Sequence, residues 1–132
     1  MKNVKLVEME KQKTTSNKID LLERTVKFSR LVIRLYKELE SNSIGKVLGQ
    51  QLLRSATAVG ANFHEAQGGQ SKSDFISKLS IAQKEAIESS YWLRLIQEEE
   101  IVSGPLVKEA AEESKQLAKI LSSILISSKQ TI

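Results

Sequence analysis

From Phe75 to Ile96 the apolar and small residues recur at alternating spacings of four and three: Phe75, Leu79, Ala82, Ala86, Ser89, Leu93, Ile96. That period fits one side of a long α-helix packed against other helices and fits no β-strand. A chain containing such a seam must supply partner helices of similar length. The rest of the sequence reads the same way. Six glycines and one proline in 132 residues are too few for an all-β chain, which needs turn residues every ~8–12 positions.

Three further helices are predicted beside the one over about 72–99. The first spans about 17–40, with Asn17 as cap and Asp20 three residues on. Its stripe is Leu21, Thr25, Phe28, Val32, Leu35, Tyr36 and Leu39. The second spans about 44–67, with Leu48, Leu52, Ala56, Val59 and Phe63 inward. Its middle, Ser55 to Ala61, is almost wholly small. Gly60 costs about 1 kcal/mol there relative to Ala, which points to close approach of a neighbouring helix. Gly68-Gly69 ends it. The third opens on Ser71-Lys72-Ser73-Asp74, a Ser-x-x-acid cap. The fourth, about 105–128, starts at Pro105 and turns Val107, Ala110, Leu117, Leu121 and Ile124 inward, with Ala111, Ala118 and Leu125 beside them. Helices of ~24 residues are ~36 Å long. Equal lengths with three short breaks predict an all-α, up-down-up-down antiparallel four-helix bundle. Residues 1–16 are expected to form a flexible basic arm, since Lys2, Lys5, Lys11, Lys13 and Lys18 outweigh Glu8 and Glu10 near this terminus.

Composition excludes much chemistry. The chain has no cysteine and one histidine, His64, so no thiol nucleophile and no multi-histidine metal site is available. Ala61, three residues before His64, breaks the Glu-x-x-His pattern of a di-iron bundle. His64-Glu65 is not followed by x-x-His, so the zinc-protease motif fails. Arg54 and His64 are too far apart for the Arg–His motif of HEPN-type helical RNases, and no Walker-type phosphate loop is present. No catalytic residue, metal, cofactor or small-molecule substrate is assigned. His64 reads as a packed or surface residue. No segment has the ~18 consecutive apolar residues of a membrane span or a secretory leader, so a cytoplasmic protein is expected.

Three constellations remain. Ile81, Trp92 and Leu95 lie off the seam of the third helix, with Ile76, Ile87 and Tyr91 on another side. A Trp buries ~200 Å², so exposure forfeits a few kcal/mol; Ile81, Trp92 and Leu95 are therefore read as an interface between copies of the chain. Arg54, Asn62 and Glu65 project from related sides of the second helix and are read as a structural polar network. Arg24, Lys27, Arg30, Arg34 and Lys37 form a basic row on the first helix, with Glu23 and Glu38 placed to pair with Lys27 and Arg34. The row is the candidate nucleic-acid contact, acting through phosphates rather than base stacking. Glu85 and Glu88 share a helix face and are read as solvated or interfacial.

The segments QQLLRSATAVGANFHEA (50–66) and QSKSDFISKLSIA (70–82), then Lys84-Glu85-Ala86 and Tyr91-Trp92-Leu93-Arg94-Leu95, carry a likeness. The chain resembles the bacterial four-helix-bundle family of 23S ribosomal RNA intervening-sequence proteins. That family in turn resembles the accessory protein of diversity-generating retroelements. The likeness covers about residues 19–127. The family's Asn-Ile-x-Glu-Gly/Ala stands here as Asn62-Phe63-His64-Glu65-Ala66, and the basic pairs some members carry after the second helix are reduced to Lys72. The likeness implies a ring-shaped homopentamer and, for the retroelement branch, nucleic acid and a reverse transcriptase as partners. Two functions are thus in view: an oligomeric scaffold or adaptor for structured RNA or a nucleic-acid-processing protein, and a protein–protein interaction module without nucleic-acid affinity.

Overall fold

The computed structural model describes residues 4–130, with side chains from Leu21 on. Four helices, α1 (Val4–Leu39), α2 (Ser43–Gln67), α3 (Lys72–Glu98) and α4 (Pro105–Gln130), and no strand are formed by the described residues. Each helix lies beside its neighbours in the order α1–α2–α3–α4–α1, and the diagonal pairs α1–α3 and α2–α4 stand farther apart, meeting only through the shared core. The result is an antiparallel bundle with α3 diagonal to α1.

The start of α1 departs from expectation. The helix begins at Val4 and runs through Asn17, so it does not start at that residue. No glycine or proline interrupts residues 1–44, and an internal Asn costs only a few tenths of a kcal/mol. Most of the arm expected over 1–16 thus falls within α1. Residues 1–3 and the side chains before Leu21 lie outside the described residues.

α3 starts at its predicted cap, Ser71, and α2 at a cap the sequence reading did not single out, Asn42. Asn42 accepts a hydrogen bond from the Gly45 amide at 2.8 Å and Ser71 one from Asp74 at 3.1 Å. Each satisfies an amide that the first helical turn leaves without a partner. α3 ends at Glu98, within a residue of the predicted end. Glu100 takes a left-handed conformation, φ 51°. The Ile101 amide returns to the Ile96 carbonyl at 3.1 Å and that of Glu100 to Gln97. This is a Schellman closure with glutamate where glycine is usual, and half-buried Ile101 supplies its apolar contact to the core.

The α3 seam fills the interior. Leu79, Ala82, Ala86, Ser89, Leu93 and Ile96 are buried, against Phe28, Val32 and Leu35 of α1, Leu52, Val59 and Phe63 of α2, and Leu117 and Leu121 of α4. In α4, Leu125 is buried and Ile124 only partly so, reversing the predicted order at that end. Small residues bring α1 and α2 together as expected: a Cβ at Gly60 would stand 3.2 Å from Thr25, and one at Gly49 2.8 Å from the Tyr36 ring. The buried hydroxyls are all bonded. Ser89 donates to Ser55 at 2.9 Å, tying α3 to α2, and Ser90 shares a 2.7 Å bond with Ser114 of α4.

Replacing Glu100 by glycine removes the side-chain penalty of the left-handed backbone. Glu100→Gly is expected to stabilise the fold by roughly 1 kcal/mol, a rise of a few degrees in melting temperature. Calorimetry checks this, and an unchanged or lower melting temperature would show the closure to be unstrained.

Candidate functional site

Because α3 lies diagonal to α1, it turns one side to the core and the opposite side outward. Ile81, Ile87 and Tyr91 are exposed on it, and Trp92 and Leu95 are half-buried. The two apolar groups that the sequence kept apart meet here: the rings of Tyr91 and Trp92 are 5.0 Å apart, edge to face at 70°. Trp92 packs on the core with one part of its indole and donates its Nε1–H to Glu88 Oε2 at 3.1 Å. It is therefore held in place without being enclosed. The neighbouring helix α2 adds exposed Ile44 and Val47, which the antiparallel α2–α3 register sets toward the Leu95 end.

The two flanks of this ridge differ in charge. On the α2 side Arg54 bridges Glu85, at 3.2 Å, and Glu88. Desolvation pulls the guanidinium pKa down, but the hydrogen bond to Glu88 and the charges of Glu85 and Glu88 outweigh it and raise the pKa. Two carboxylates share one guanidinium, so the cluster keeps a net negative charge. On the α4 side Ile87, Tyr91 and Arg94 border a shallow groove with Ala111 and Lys115. Arg94 there pairs with Glu98 at 2.8 Å.

The expected network of Arg54, Asn62 and Glu65 is not one unit. Arg54 joins Glu85 and Glu88. Glu65 pairs with Lys78 at 2.8 Å. Asn62 donates to the Ala58 carbonyl of its own helix at 2.9 Å. One helical turn suits an Asn amide to that carbonyl, and the antiparallel neighbour supplies each charge with a nearer opposite. His64 Nδ1 lies 2.7 Å from the Gly60 carbonyl and donates to it. No group of three or more His, Asp or Glu side chains able to hold a metal occurs among the described residues, and no helix there is long and apolar enough to cross a membrane.

The basic row lines one wall of a groove between α1 and α4, about 530 Å³ in volume. Lys27, Arg30 and Arg34 form that wall, Glu109, Glu112 and Glu113 the other, over Phe28, Leu31 and Leu106. Arg24 closes the groove with a two-point bond to Glu113, Nε to Oε2 at 3.1 Å and Nη2 to Oε1 at 2.6 Å. Lys27, Arg30, Arg34 and Lys37 are exposed, and neither the Glu23–Lys27 nor the Arg34–Glu38 pair forms among the described residues. The row is therefore available for contact, but it faces acid across the groove and is no isolated cationic stripe. The α4 carboxylates were missed in the sequence because only the α1–α4 packing brings them opposite the row.

The profile of the 23S rRNA-intervening sequence protein family matches residues 17–123. The chain belongs to that family. A crystal structure of a protein of unknown function from the S23 ribosomal protein family of Bacteroides thetaiotaomicron is similar to it, at 37% identity and a TM-score of 0.74, over 80% of this chain and 97% of that one. No curated protein matches the chain.

The arrangement can bury apolar surface and match charge. Trp92 is the only tryptophan, so its surroundings can be read directly. Glu88→Ala removes the indole's acceptor and is expected to shift Trp92 emission to the red. The stability cost should stay under about 1 kcal/mol, because the ion pair it breaks is partly solvated. Unchanged emission would show that Glu88 does not hold the ring.

Proposed function

We propose that the protein is a non-enzymatic, homo-oligomeric helical scaffold that works through protein–protein contact, its first partner being another copy of itself. The observation that carries this reading is the ridge of Ile81, Ile87, Tyr91, Trp92 and Leu95. Its own bundle leaves Tyr91 55% and Ile87 52% exposed. Covering such a ridge releases about 25 cal/mol per Å², enough to drive association when several large side chains are buried together. A closed ring is the natural form, and the family likeness implies five members.

Structured RNA, or a protein that processes it, is the second partner class. Four exposed cations, Lys27, Arg30, Arg34 and Lys37, favour it, as does the ribosomal naming of the relatives. The acidic wall of Glu109, Glu112 and Glu113 favours the module without nucleic-acid affinity.

Light scattering is expected to give a mass several times 14.7 kDa, near fivefold for the ring implied by the likeness. A monomer at tens of micromolar would contradict self-association. In gel shifts, the RNA reading requires binding that falls steeply from low to moderate salt and weakens in Arg30→Ala/Arg34→Ala at unchanged mass. Absence of any shift at low salt leaves the protein-only module.

A further inference from the structure

We infer that the outer groove between α1 and α2 docks an acidic amphipathic α-helix of a partner protein. This rests on the scaffold reading, for which it names a class of partner, but on a different side of the bundle from the α3 ridge that carries self-association.

Two observations carry it. The first is a second seam on α1. Leu22, Val26, Ser29, Ile33 and Tyr36 recur at spacings of four and three, each one residue after a member of the core row Leu21, Thr25, Phe28, Val32 and Leu35. One residue turns a helix by about 100°, so the second row leaves the core and runs along the border with α2. The register there is fixed by two close approaches, Thr25 to Gly60 and the Tyr36 ring to Gly49. It sets Ile33 level with Leu53 of α2 and Ser29 level with Thr57. Leu22, Tyr36, Leu53 and Thr57 are half-buried, while Val26 and Ile33 stand 39% and 43% exposed. The two open side chains are seven residues, about 10.5 Å, apart along α1. A helix with apolar residues at heptad spacing repeats at that interval, so its knobs fall into the gaps around Val26 and Ile33.

The second is charge. Neither α1 from Arg24 to Lys37 nor α2 from Ser43 to His64 carries an acidic residue. Acid stands only at the ends of these stretches, as Glu23, Glu38 and Glu40 on α1 and Glu65 on α2. From the other helices, Glu113 of α4 bridges Arg24, and Glu85 and Glu88 of α3 bridge Arg54. Arg30 and Lys37 on the α1 rim and Lys46 on the α2 rim are exposed and form no ion pair among the described residues. An apolar seam between cationic rims is matched by a helix with heptad-spaced apolar residues and Asp or Glu beside them. A second copy applied by this same face would set cation against cation. Phosphates would take up the cations but leave Val26 and Ile33 uncovered. A partner's acidic helix satisfies both.

The probe is a synthetic three-heptad peptide with leucine at the seam positions, glutamate beside them and a fluorescent label. Its control has every glutamate replaced by lysine. The full chain is titrated into each and anisotropy is read. The glutamate peptide is expected to bind and the lysine peptide to bind far more weakly. Val26→Ser/Ile33→Ser changes exposed positions only, so it should keep the parent's melting temperature and mass yet weaken binding about tenfold or more. Arg30→Gln/Lys37→Gln should also weaken binding and flatten its dependence on salt. Failure of the glutamate peptide to bind, or equal binding of both peptides, overturns the inference. Unchanged affinity in Val26→Ser/Ile33→Ser overturns it too, and a shift in Trp92 emission on binding would then place the peptide on the α3 ridge. A lower mass in that variant would assign the seam to contact between copies and overturn it as well. A chain that ignores the peptide but sediments with phosphatidylglycerol vesicles, or shifts structured RNA, through these same residues overturns it in favour of that surface. The mass of the parent protein is read separately: a monomer that binds the glutamate peptide through Val26 and Ile33 overturns self-association and leaves this site standing.

Discussion

The interaction on which the rest depends is the packing of α3, which has apolar groups on more of its circumference than three partner helices cover. Its inward seam, Leu79 to Ile96, fixes the bundle. The seam also forces Ile81, Tyr91 and Leu95 to the opposite side, since residues two or five positions off a helical seam cannot turn inward with it. Ser89 and Ser90 then lock the register, one to α2 through Ser55 and the other to α4 through Ser114. Hydroxyl pairs in a dry interior cost about 1–3 kcal/mol each if left open, so a slipped α3 would lose both together. The same register brings Arg54 onto Glu85 and Glu88 and orders the indole of Trp92. Core, ion cluster and ridge are consequences of one helix placement.

Charge gives the apolar surfaces direction. An uncharged ridge could stack against any greasy partner. Here it is acidic along its α2 side, where Glu85 and Glu88 share Arg54, carries a paired Arg94 and Glu98 along its α4 side, and the α1–α4 groove has walls of both signs. Exposed pairs of this kind add little to stability, but they select partner and orientation. The basic row of α1 takes a different meaning in this setting. In the sequence it looks like a polyanion contact. In the bundle it is half of a two-signed groove, facing Glu109, Glu112 and Glu113.

What could be read in the sequence follows from the range of the interactions involved. Caps, breaks and the α3 seam depend on residues within one or two turns, and Ser71 and Gly60 act as their local patterns indicate. The start of α1 was misread because Asn17 resembles a cap while nothing before it stops a helix. The turn at Glu100 was hidden because its left-handed backbone carries a glutamate, which gives no signal. Pairings between helices were beyond local pattern: Arg54 with Glu85, Glu65 with Lys78 and Arg24 with Glu113 depend on register between elements. Two charged members of the expected α2 network bond to α3, while the Asn62 side chain satisfies itself within α2.

The most direct test of the central claim, that one copy's α3 ridge is covered by another copy, uses the single tryptophan. Acrylamide quenching of Trp92 is measured from high micromolar to low nanomolar protein. If copies shield the ridge, quenching is weak in concentrated solution and rises on dilution, with a midpoint at the concentration where the mass falls. Quenching that is the same at every dilution would contradict the claim.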